Sequence, residues 1–199
     1  MISTPGKRMM VFAGTHNREL SEDIARHLGV ELGNIRVSKF ANGEIYVRYL
    51  ESVRGADVFL VQSMCQPVNA ALMELLIMLQ TLRLDSAARI TAVIPYMWYA
   101  RSDKKDQPRV PITARLIADM IEVAGADRYI TIDLHAGQIQ GFFTVPGDVL
   151  TSFHILIDYL LSIQPMMNDP VVVTADLGFA KKGRNFAQKL NTPMAFIEK

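Results

Sequence analysis

One short segment of the sequence, from Arg101 to Asp106, carries three cations and two carboxylates. Such a run is either an ordinary solvated loop or a clamp for a polyphosphate. In a clamp, an arginine bonds two oxygens at once and a lysine acts as a point charge. Tyr96, Trp98 and Tyr99 come just before the run and offer it an aromatic anchor. This anchor favours a fixed loop.

A second pair of residues with chemical potential is Asp133 and His135, which are separated by one residue. In an extended segment, side chains two residues apart point to the same side. The carboxylate and the imidazole could therefore reach one divalent ion, and this donor set suits Mg²⁺ or Mn²⁺ carried by phosphates. The alternative is a structural histidine hydrogen-bonded to the neighbouring aspartate. The spacing leaves both interpretations open.

Short apolar strands alternate with segments of helical period around these residues, which predicts βαβ units and a parallel sheet. We therefore expect an α/β protein with a doubly wound, mostly parallel sheet. The predicted strands are residues 9–13, 35–39, 44–50, 56–62, 89–94, 129–133, 171–174 and 194–197. The predicted helices are residues 20–28, 69–84, 112–123, 152–161 and 179–190.

Ligands of open α/β sheets bind outside the carboxyl ends of the strands, so the residues just past each strand are candidates for a site. Those residues are 14–17, 63–66, 96–106, 133–135, Asp176 and Lys199. The first strand is not followed by the glycine-rich fingerprint of a dinucleotide-binding dehydrogenase, which argues against that class.

Two features predict the organisation of the chain. Asn42-Gly43 suits a tight turn and predicts a hairpin, whose alternating Ile45, Val47 and Tyr49 we expect to need cover from a second molecule. A boundary is expected near residues 147–151. Residues 1–149 would form one domain, and residues 150–199 would only begin a second, similar domain, because two strands and their helices cannot enclose a core.

Composition excludes several classes of protein. The formal net charge is +1, which argues against nucleic acid as a partner. Cys65 is the only cysteine, so the chain has neither a disulfide framework nor a thiolate metal cluster. No apolar stretch is long enough to span a bilayer, and no secretory segment is visible at the N-terminus. We expect a soluble cytoplasmic protein with no membrane partner.

Several blocks of this sequence, in order, resemble ribose-phosphate pyrophosphokinases, also called phosphoribosyl pyrophosphate synthetases. The blocks are residues 12–14, 39–44, 53–55, 72–75, 94–106, 111–114 and 133–143. The resemblance covers nearly the whole chain and implies a phosphoribosyltransferase-like fold. It implies transfer of a diphosphate group from MgATP to the C1 hydroxyl of ribose 5-phosphate, with release of AMP and with Mg²⁺ as cofactor. It also implies a homo-oligomer, in which dimers assemble into a hexamer.

The same resemblance implies roles for individual residues. A neighbouring subunit would contribute the hairpin turn, with Phe40 against the adenine and with Asn42 and Glu44 at its edge. The implied ATP-binding residues are Phe40, Asn42, Gly43, Glu44, Arg101, Ser102 and Asp106. Asp133 and His135 would hold metal, and Asp176 would hold metal or support the ribose end. Lys199 would be the catalytic lysine that opens a mobile loop.

Some positions depart from the family pattern. Ser102 stands where glutamine is usual, Thr144 replaces an aspartate, and Ala175 and Phe179 alter the segment around Asp176. The family also continues past this length with the loop that grips ribose 5-phosphate. The chain is therefore expected to be the N-terminal two-thirds of the enzyme and inactive alone. The alternatives are a non-catalytic regulatory or assembly subunit, or an unrelated nucleotide-binding module.

Overall fold

A computed structural model of the protein describes residues 8–63 and 66–197. The chain divides into two compact units, Met1–Leu150 and Thr151–Lys199. The first unit contains β1 (Met9–Ala13), α1 (Arg18–Leu28), β2 (Ile35–Lys39), β3 (Ile45–Tyr49), β4 (Asp57–Val61), α2 (Val68–Leu84), β5 (Arg89–Ile94), α3 (Thr113–Ala124), β6 (Arg128–Ile132), a 3-10 turn (Gly137–Phe142) and β7 (Gly147–Leu150).

The centre of the first unit is a parallel sheet of five strands in the order β1-β4-β5-β6-β7. The predicted α/β class and its mostly parallel sheet are confirmed. The strands form because their residues are apolar and often β-branched, which suits a sheet buried within α/β units. All five strands run in the same direction, so the carboxyl ends of β1, β4, β5 and β6 meet along one edge. We call this edge the ligand edge.

The hydrophobic core lies on the sheet face that α2, α3 and the β2–β3 hairpin cover. Phe12, Leu60 and Ile90 on the strands are fully buried, as are Leu75 and Leu79 on α2. Burying one side chain of this size contributes about 1.5–3 kcal/mol. Helix α2 packs against β3, β5 and α3, which explains why its sequence is apolar around most of its circumference. It is the central support of this unit.

The predicted hairpin is confirmed: β2 and β3 pair antiparallel, with Lys39 opposite Ile45. Gly43 takes a φ of 89°, a conformation that favours glycine, and the Asn42 side chain accepts a hydrogen bond from the Glu44 amide at 3.2 Å. This conformation and this hydrogen bond stabilise the turn.

The expectation that Val47 and Tyr49 need cover from a second molecule is wrong, because their own chain covers them. The Tyr49 ring meets Phe12 edge to face at 4.8 Å, and its hydroxyl donates to the Met78 carbonyl at 3.2 Å. Val47 packs against the same core. The large apolar side chains that the hairpin leaves exposed are Phe40, Tyr46 and Leu50.

The segment predicted as a domain boundary forms β7, which extends the main sheet beside β6. Gly147 permits a close approach here, because a Cβ on it would lie 2.0 Å from Cζ of Tyr129. The Tyr129 ring also stacks on Phe143 at 3.9 Å. Pairing with β6 therefore gives this short segment its conformation.

The second unit contains α4 (Phe153–Ile163), a 3-10 turn (Gln164–Met166), β8 (Val172–Thr174), a 3-10 turn (Leu177–Phe179), α5 (Ala180–Leu190) and β9 (Met194–Phe196). β8 and β9 form a parallel two-stranded sheet. Several of its large apolar side chains are exposed, among them Tyr159, Val173 and Phe196. In the part of the chain that the structure describes, no helix has the length and apolar character needed to cross a membrane.

Candidate functional site

The loop between β5 and α3 carries the basic run and is held at the ligand edge by aromatic residues. Trp98 is 1% exposed and lies in the core, which confirms this residue as an anchor, whereas Tyr96 is exposed. Tyr99 has a φ of 52°, and its hydroxyl donates to the side chain of Asn69 at the start of α2. The loop therefore has a defined conformation and is not an ordinary solvated loop.

Most charged side chains of this loop are exposed to solvent. Arg101, Lys104, Lys105 and Asp106 are all exposed. Ser102 differs, because its hydroxyl accepts a hydrogen bond from the Thr113 amide at 3.3 Å and its carbonyl accepts from Ala114 at 3.1 Å. Ser102 thus supports the first turn of α3, and its predicted nucleotide contact stays a prediction.

A buried carboxylate ties this loop to the turn after β6. Asp103 is 7% exposed and accepts a hydrogen bond from the Gln138 side chain. The sequence analysis included Asp103 only within the charged run and gave it no role of its own. Its burial separates it from its exposed neighbours, and its contact with Gln138 holds the loop.

Asp133 and His135 lie directly after β6, with the buried Leu134 between them. Both are exposed, but Asp133 has a φ of 45°, so the segment is not extended at that residue. The Asp133 amide donates to the Leu150 carbonyl at 3.0 Å. Within residues 8–63 and 66–197, no group of three or more His, Cys, Asp or Glu side chains could hold a metal ion.

The hairpin turn makes its contacts within itself. The Phe40 ring meets Tyr46 at 5.7 Å, and the backbones of Phe40 and Glu44 are hydrogen-bonded at 2.8 Å. No hydrogen bond or ring contact in the described residues joins Phe40, Asn42, Gly43 or Glu44 to the loop after β5. The structure therefore does not bring these predicted ATP residues to Arg101 within one chain.

Two further predicted residues lie outside this arrangement. Asp176, in the second unit, accepts a hydrogen bond from the Phe179 amide at 3.1 Å and so caps a 3-10 turn. Lys199 lies outside the described residues, as does Cys65. The catalytic role of Lys199 and the metal role of Asp176 stay predictions.

The sequence analysis missed a buried polar cluster at the carboxyl ends of β1 and β4. Glu74, on α2, is 3% exposed and Gln62 is fully buried. Glu74 accepts hydrogen bonds from the Thr15 amide and hydroxyl, each at 2.7 Å, and from the Gln62 side chain at 3.0 Å. The sequence carries one sign of this cluster: Glu74 is a single carboxylate between Leu72 and Leu75, on a helix that is otherwise apolar there.

Other charged contacts lie at the amino ends of the strands. Arg89 pairs with the fully buried Asp57, and this hydrogen bond raises the pKa of the arginine above its usual value. Arg128 pairs with Asp148 at 2.6 Å. Asp57, Arg89 and Arg128 each begin a strand, so these pairs are remote from the ligand edge.

A parallel α/β sheet whose carboxyl edge carries a fixed basic loop beside an aspartate and a histidine is typical of proteins that bind ligands at their strand ends. Residues 9–125 match a family model described as the N-terminal domain of ribose phosphate pyrophosphokinase. The chain belongs to the ribose-phosphate pyrophosphokinase family.

The similarity extends over nearly the whole chain. The chain is 50% identical to a ribose-phosphate pyrophosphokinase of Clostridium acetobutylicum over 98% of this chain and 61% of that protein. A relative from Caldanaerobacter subterraneus is 51% identical, over 96% of this chain and 60% of that protein. The crystal structure of phosphoribosylpyrophosphate synthetase from Mycobacterium smegmatis superposes with a TM-score of 0.92 at 45% identity, covering 97% of this chain and 65% of that one. The chain thus spans about three-fifths of the length of these curated relatives.

Proposed function

We propose that this chain supplies the ATP-binding part of a ribose-phosphate diphosphokinase. In that reaction the C1 hydroxyl oxygen of ribose 5-phosphate attacks the β-phosphorus of ATP. The bond from the β-phosphorus to the oxygen that bridges to the α-phosphate breaks, AMP leaves with that oxygen, and the hydroxyl proton passes to solvent. The observation that carries the proposal is the fixed basic loop beside Asp133 and His135, in a chain about half identical to relatives of that name.

Diphosphate transfer depends mainly on positioning and on neutralising charge, so it needs cations more than an acid–base pair. Arg101, Lys104 and Lys105 are exposed together and would bind the phosphate oxygens. Asp133 and His135 are both exposed directly after β6, and they would hold a Mg²⁺ ion that takes its remaining ligands from phosphates and water. When bound, Mg²⁺ would neutralise charge on the triphosphate. Asp106, which is exposed in the same loop, would also contact the bound nucleotide.

The hairpin turn would act on a neighbouring subunit. Phe40 is 55% exposed and Tyr46 is 43% exposed, so the turn offers an aromatic pair that its own chain leaves uncovered. We propose that Phe40 packs on the adenine of a second subunit, with Asn42, Gly43 and Glu44 at the edge of the base. This arrangement requires a homo-oligomer, and we propose that its dimers assemble into a hexamer, as the family resemblance implies.

We propose further that residues 150–199 begin a second domain, in which Asp176 and Lys199 serve the ribose 5-phosphate end. Support comes from the exposed apolar side chains of this unit and from relatives that are longer than this chain. The 199-residue chain should then bind MgATP without forming product. A reaction that draws on ATP and a sugar phosphate fits the cytoplasm, where we propose that the chain acts.

A second candidate is a non-catalytic regulatory or assembly subunit of the same family. The observation that favours it is Ser102, whose hydroxyl is occupied by the first turn of α3 instead of facing a ligand.

Calorimetric titration of the chain with MgATP tests the nucleotide site. We expect binding, and we expect Arg101→Ala to weaken it by roughly ten-fold or more, since an arginine–phosphate contact is charge-assisted. Arg115→Ala is the matched control, because Arg115 is exposed on α3 and pairs with Asp119. Equal affinity in the two variants would contradict the site.

An assay for AMP and phosphoribosyl pyrophosphate separates the two candidate functions. The 199-residue chain should give no product, whereas a version of the chain extended to the length of its relatives should give product. An extended protein that binds MgATP but stays inactive with ribose 5-phosphate would favour the non-catalytic subunit.

A further inference from the structure

The cluster around Glu74 fixes the loop that follows β1. Gly14 lies against the Gln62 side chain so closely that a Cβ on it would be 2.0 Å from Oε1 of Gln62. Beyond Gly14, the carboxylate of Glu74 receives both the amide and the hydroxyl of Thr15. The next residue, His16, has a side chain that is 13% exposed, with Nδ1 3.2 Å from the Thr15 hydroxyl and 4.0 Å from Glu74.

The two protons of the Gln62 side-chain amide limit the hydrogen bonds that this residue can donate. Its Nε2 lies 3.2 Å from the Ala71 carbonyl and 3.0 Å from Glu74, and a carbonyl and an ionised carboxylate only accept hydrogen bonds. An amide nitrogen has two protons, and both are used. Nδ1 of His16, at 3.4 Å, is the third neighbour of this nitrogen. Gln62 therefore has no proton left for the imidazole.

The hydroxyl of Thr15 is limited in the same way. It has a single proton, which it donates to the Glu74 carboxylate at 2.7 Å. Toward His16 the hydroxyl oxygen can only accept. The proton of the neutral imidazole must then sit on Nδ1 and point at the Thr15 oxygen at 3.2 Å. Nε2 is left with its lone pair.

Nε2 of His16 has no hydrogen-bond partner among residues 8–63 and 66–197. His16 belongs to the loop at the carboxyl end of β1, so this nitrogen lies at the ligand edge. A neutral nitrogen with a lone pair accepts hydrogen bonds from O–H or N–H groups, and it cannot donate a hydrogen bond to an ionised phosphate oxygen. Within a Mg-nucleotide, such donors are the ribose hydroxyls, the base amine and metal-bound water.

We propose that Glu74, Thr15 and His16 form a relay that holds the imidazole in the Nδ1–H tautomer and presents Nε2 as a hydrogen-bond acceptor for a neutral donor of the bound nucleotide. Glu74 and Thr15 are positioning residues, and His16 is the contact. The ligand half of this proposal rests on the proposed nucleotide function, and the tautomer half stands on the geometry alone.

The tautomer is read from two-bond proton–nitrogen NMR spectra of the chain at about pH 9, where free imidazole is neutral. We expect Nδ1–H for His16. In Glu74→Gln the new amide nitrogen would donate to the Thr15 oxygen, so the hydroxyl proton would turn to Nδ1 and the tautomer would invert to Nε2–H. Thr15→Ser should keep the Nδ1–H form and Thr15→Val should lose its preference. An Nε2–H tautomer in the unaltered chain would overturn the relay.

His27 supplies the internal control. Its Nδ1 lies 2.9 Å from the Asp23 carbonyl, which only accepts, so it must also carry the proton on Nδ1. This exposed histidine on α1 should keep its tautomer in all of the variants, as should His16 in the surface variant Glu19→Gln. A change at His27 would mean that the substitutions act through unfolding.

The ligand half is tested with MgATP and with the Mg complex of 2′,3′-dideoxy-ATP. We expect MgATP to shift the Nε2 resonance of His16, and we expect Glu74→Gln to weaken binding by roughly three- to ten-fold through one misdirected hydrogen bond. Loss of the shift with the dideoxy compound assigns the donor to a ribose hydroxyl, and its retention assigns the donor to the rest of the Mg-nucleotide.

The resonance of His135 separates this proposal from the proposed function. If MgATP shifts His135 but leaves His16 unchanged, the contact at His16 is wrong and the nucleotide site stands. If neither histidine responds, both the nucleotide site and the His16 contact fall, while the tautomer is still decided by the ligand-free spectra.

Discussion

Arg101, Lys104 and Asp106 are exposed in a loop whose path is set by the buried residues Trp98 and Asp103. A similar arrangement occurs at the carboxyl end of β1. There the buried Glu74 holds the backbone of the loop, and His16 lies in the same loop at the ligand edge. Charge density and spacing were enough to predict the exposed residues. Trp98 was predicted as an anchor, but Asp103 and Glu74 were not, because their partners are distant in sequence: Glu74 and Thr15 are separated by 59 positions.

The Asp103–Gln138 contact should contribute measurably to stability. Replacing Asp103 with alanine would remove this hydrogen bond, and because Gln138 is exposed its amide can turn to water, so we expect the free energy of unfolding to fall by about 0.5–1.5 kcal/mol. Urea denaturation measures this change. Asp106→Ala is the control, and because Asp106 is exposed its effect should stay within about 0.5 kcal/mol. Similar effects in both variants would show that Asp103 is not a support.

His135 is exposed, so its removal should affect ligand binding more than folding. If His135 is a ligand of Mg²⁺, we expect His135→Ala to weaken MgATP binding by at least about ten-fold and to raise the Mg²⁺ concentration required. Titrations at several Mg²⁺ concentrations measure both effects, and His27→Ala is the exposed control. A lower melting temperature with unchanged Mg²⁺ dependence would instead identify a structural histidine.

At the scale of elements, most strands and helices start and end within one or two residues of their predicted limits, because apolar period and glycine caps are local signals. β7 was the exception. Its four residues, Gly147–Leu150, carry little strand character of their own, and they become a strand through pairing with β6 and contact with Tyr129. The cover of the hairpin was also missed, since it comes from Phe12 and α2, which lie elsewhere in the sequence.

Packing of the hairpin should make the free energy of unfolding depend on pH in the alkaline range. Burial, with a smaller contribution from Asp85, raises the pKa of Tyr49 far above its usual value, and burial also raises the pKa of Tyr129. In the unfolded chain these phenols ionise near pH 10, whereas in the folded chain their raised pKa values shift ionisation to higher pH. The stability that these buried phenols contribute is therefore complete below about pH 10 and is lost as the pH rises above it.

Tyr49→Phe tests this dependence. We expect the free energy of unfolding to decline less steeply above about pH 10, and to fall by about 1 kcal/mol at neutral pH through loss of the bond to Met78. Urea unfolding between neutral and alkaline pH measures both values. Tyr46→Phe, an exposed site on the same strand, should leave the slope unchanged. An unaltered slope in Tyr49→Phe would contradict the assignment.

At the scale of the whole molecule, the chain combines one complete sheet with a smaller unit whose two strands leave Val173 and Phe196 exposed. Both units present apolar surface, so self-association has two possible sources. Only association through the hairpin would place Phe40 at a neighbour's nucleotide.

We expect the chain to self-associate through the hairpin, and we expect Tyr46→Glu to weaken that association. Tyr49→Glu is unsuitable because it would place a charge in the core. Tyr159→Glu, in the second unit, is the matched control and should reduce only association that arises there. Analytical ultracentrifugation across micromolar concentrations measures the effect. A chain carrying Tyr159→Glu that is monomeric at high micromolar concentration would contradict the hairpin interface.

Helix α2 touches three of the loops at the ligand edge: Asn69 holds Tyr99, Glu74 holds Thr15, and the Ala71 carbonyl holds Gln62. All three contacts fall within the first two turns of the helix. Amide protons in these loops are therefore expected to share one opening event, because fraying of those turns releases every loop at once. The edge then behaves as a single cooperative unit, and a ligand that binds any one loop slows solvent exchange in the others.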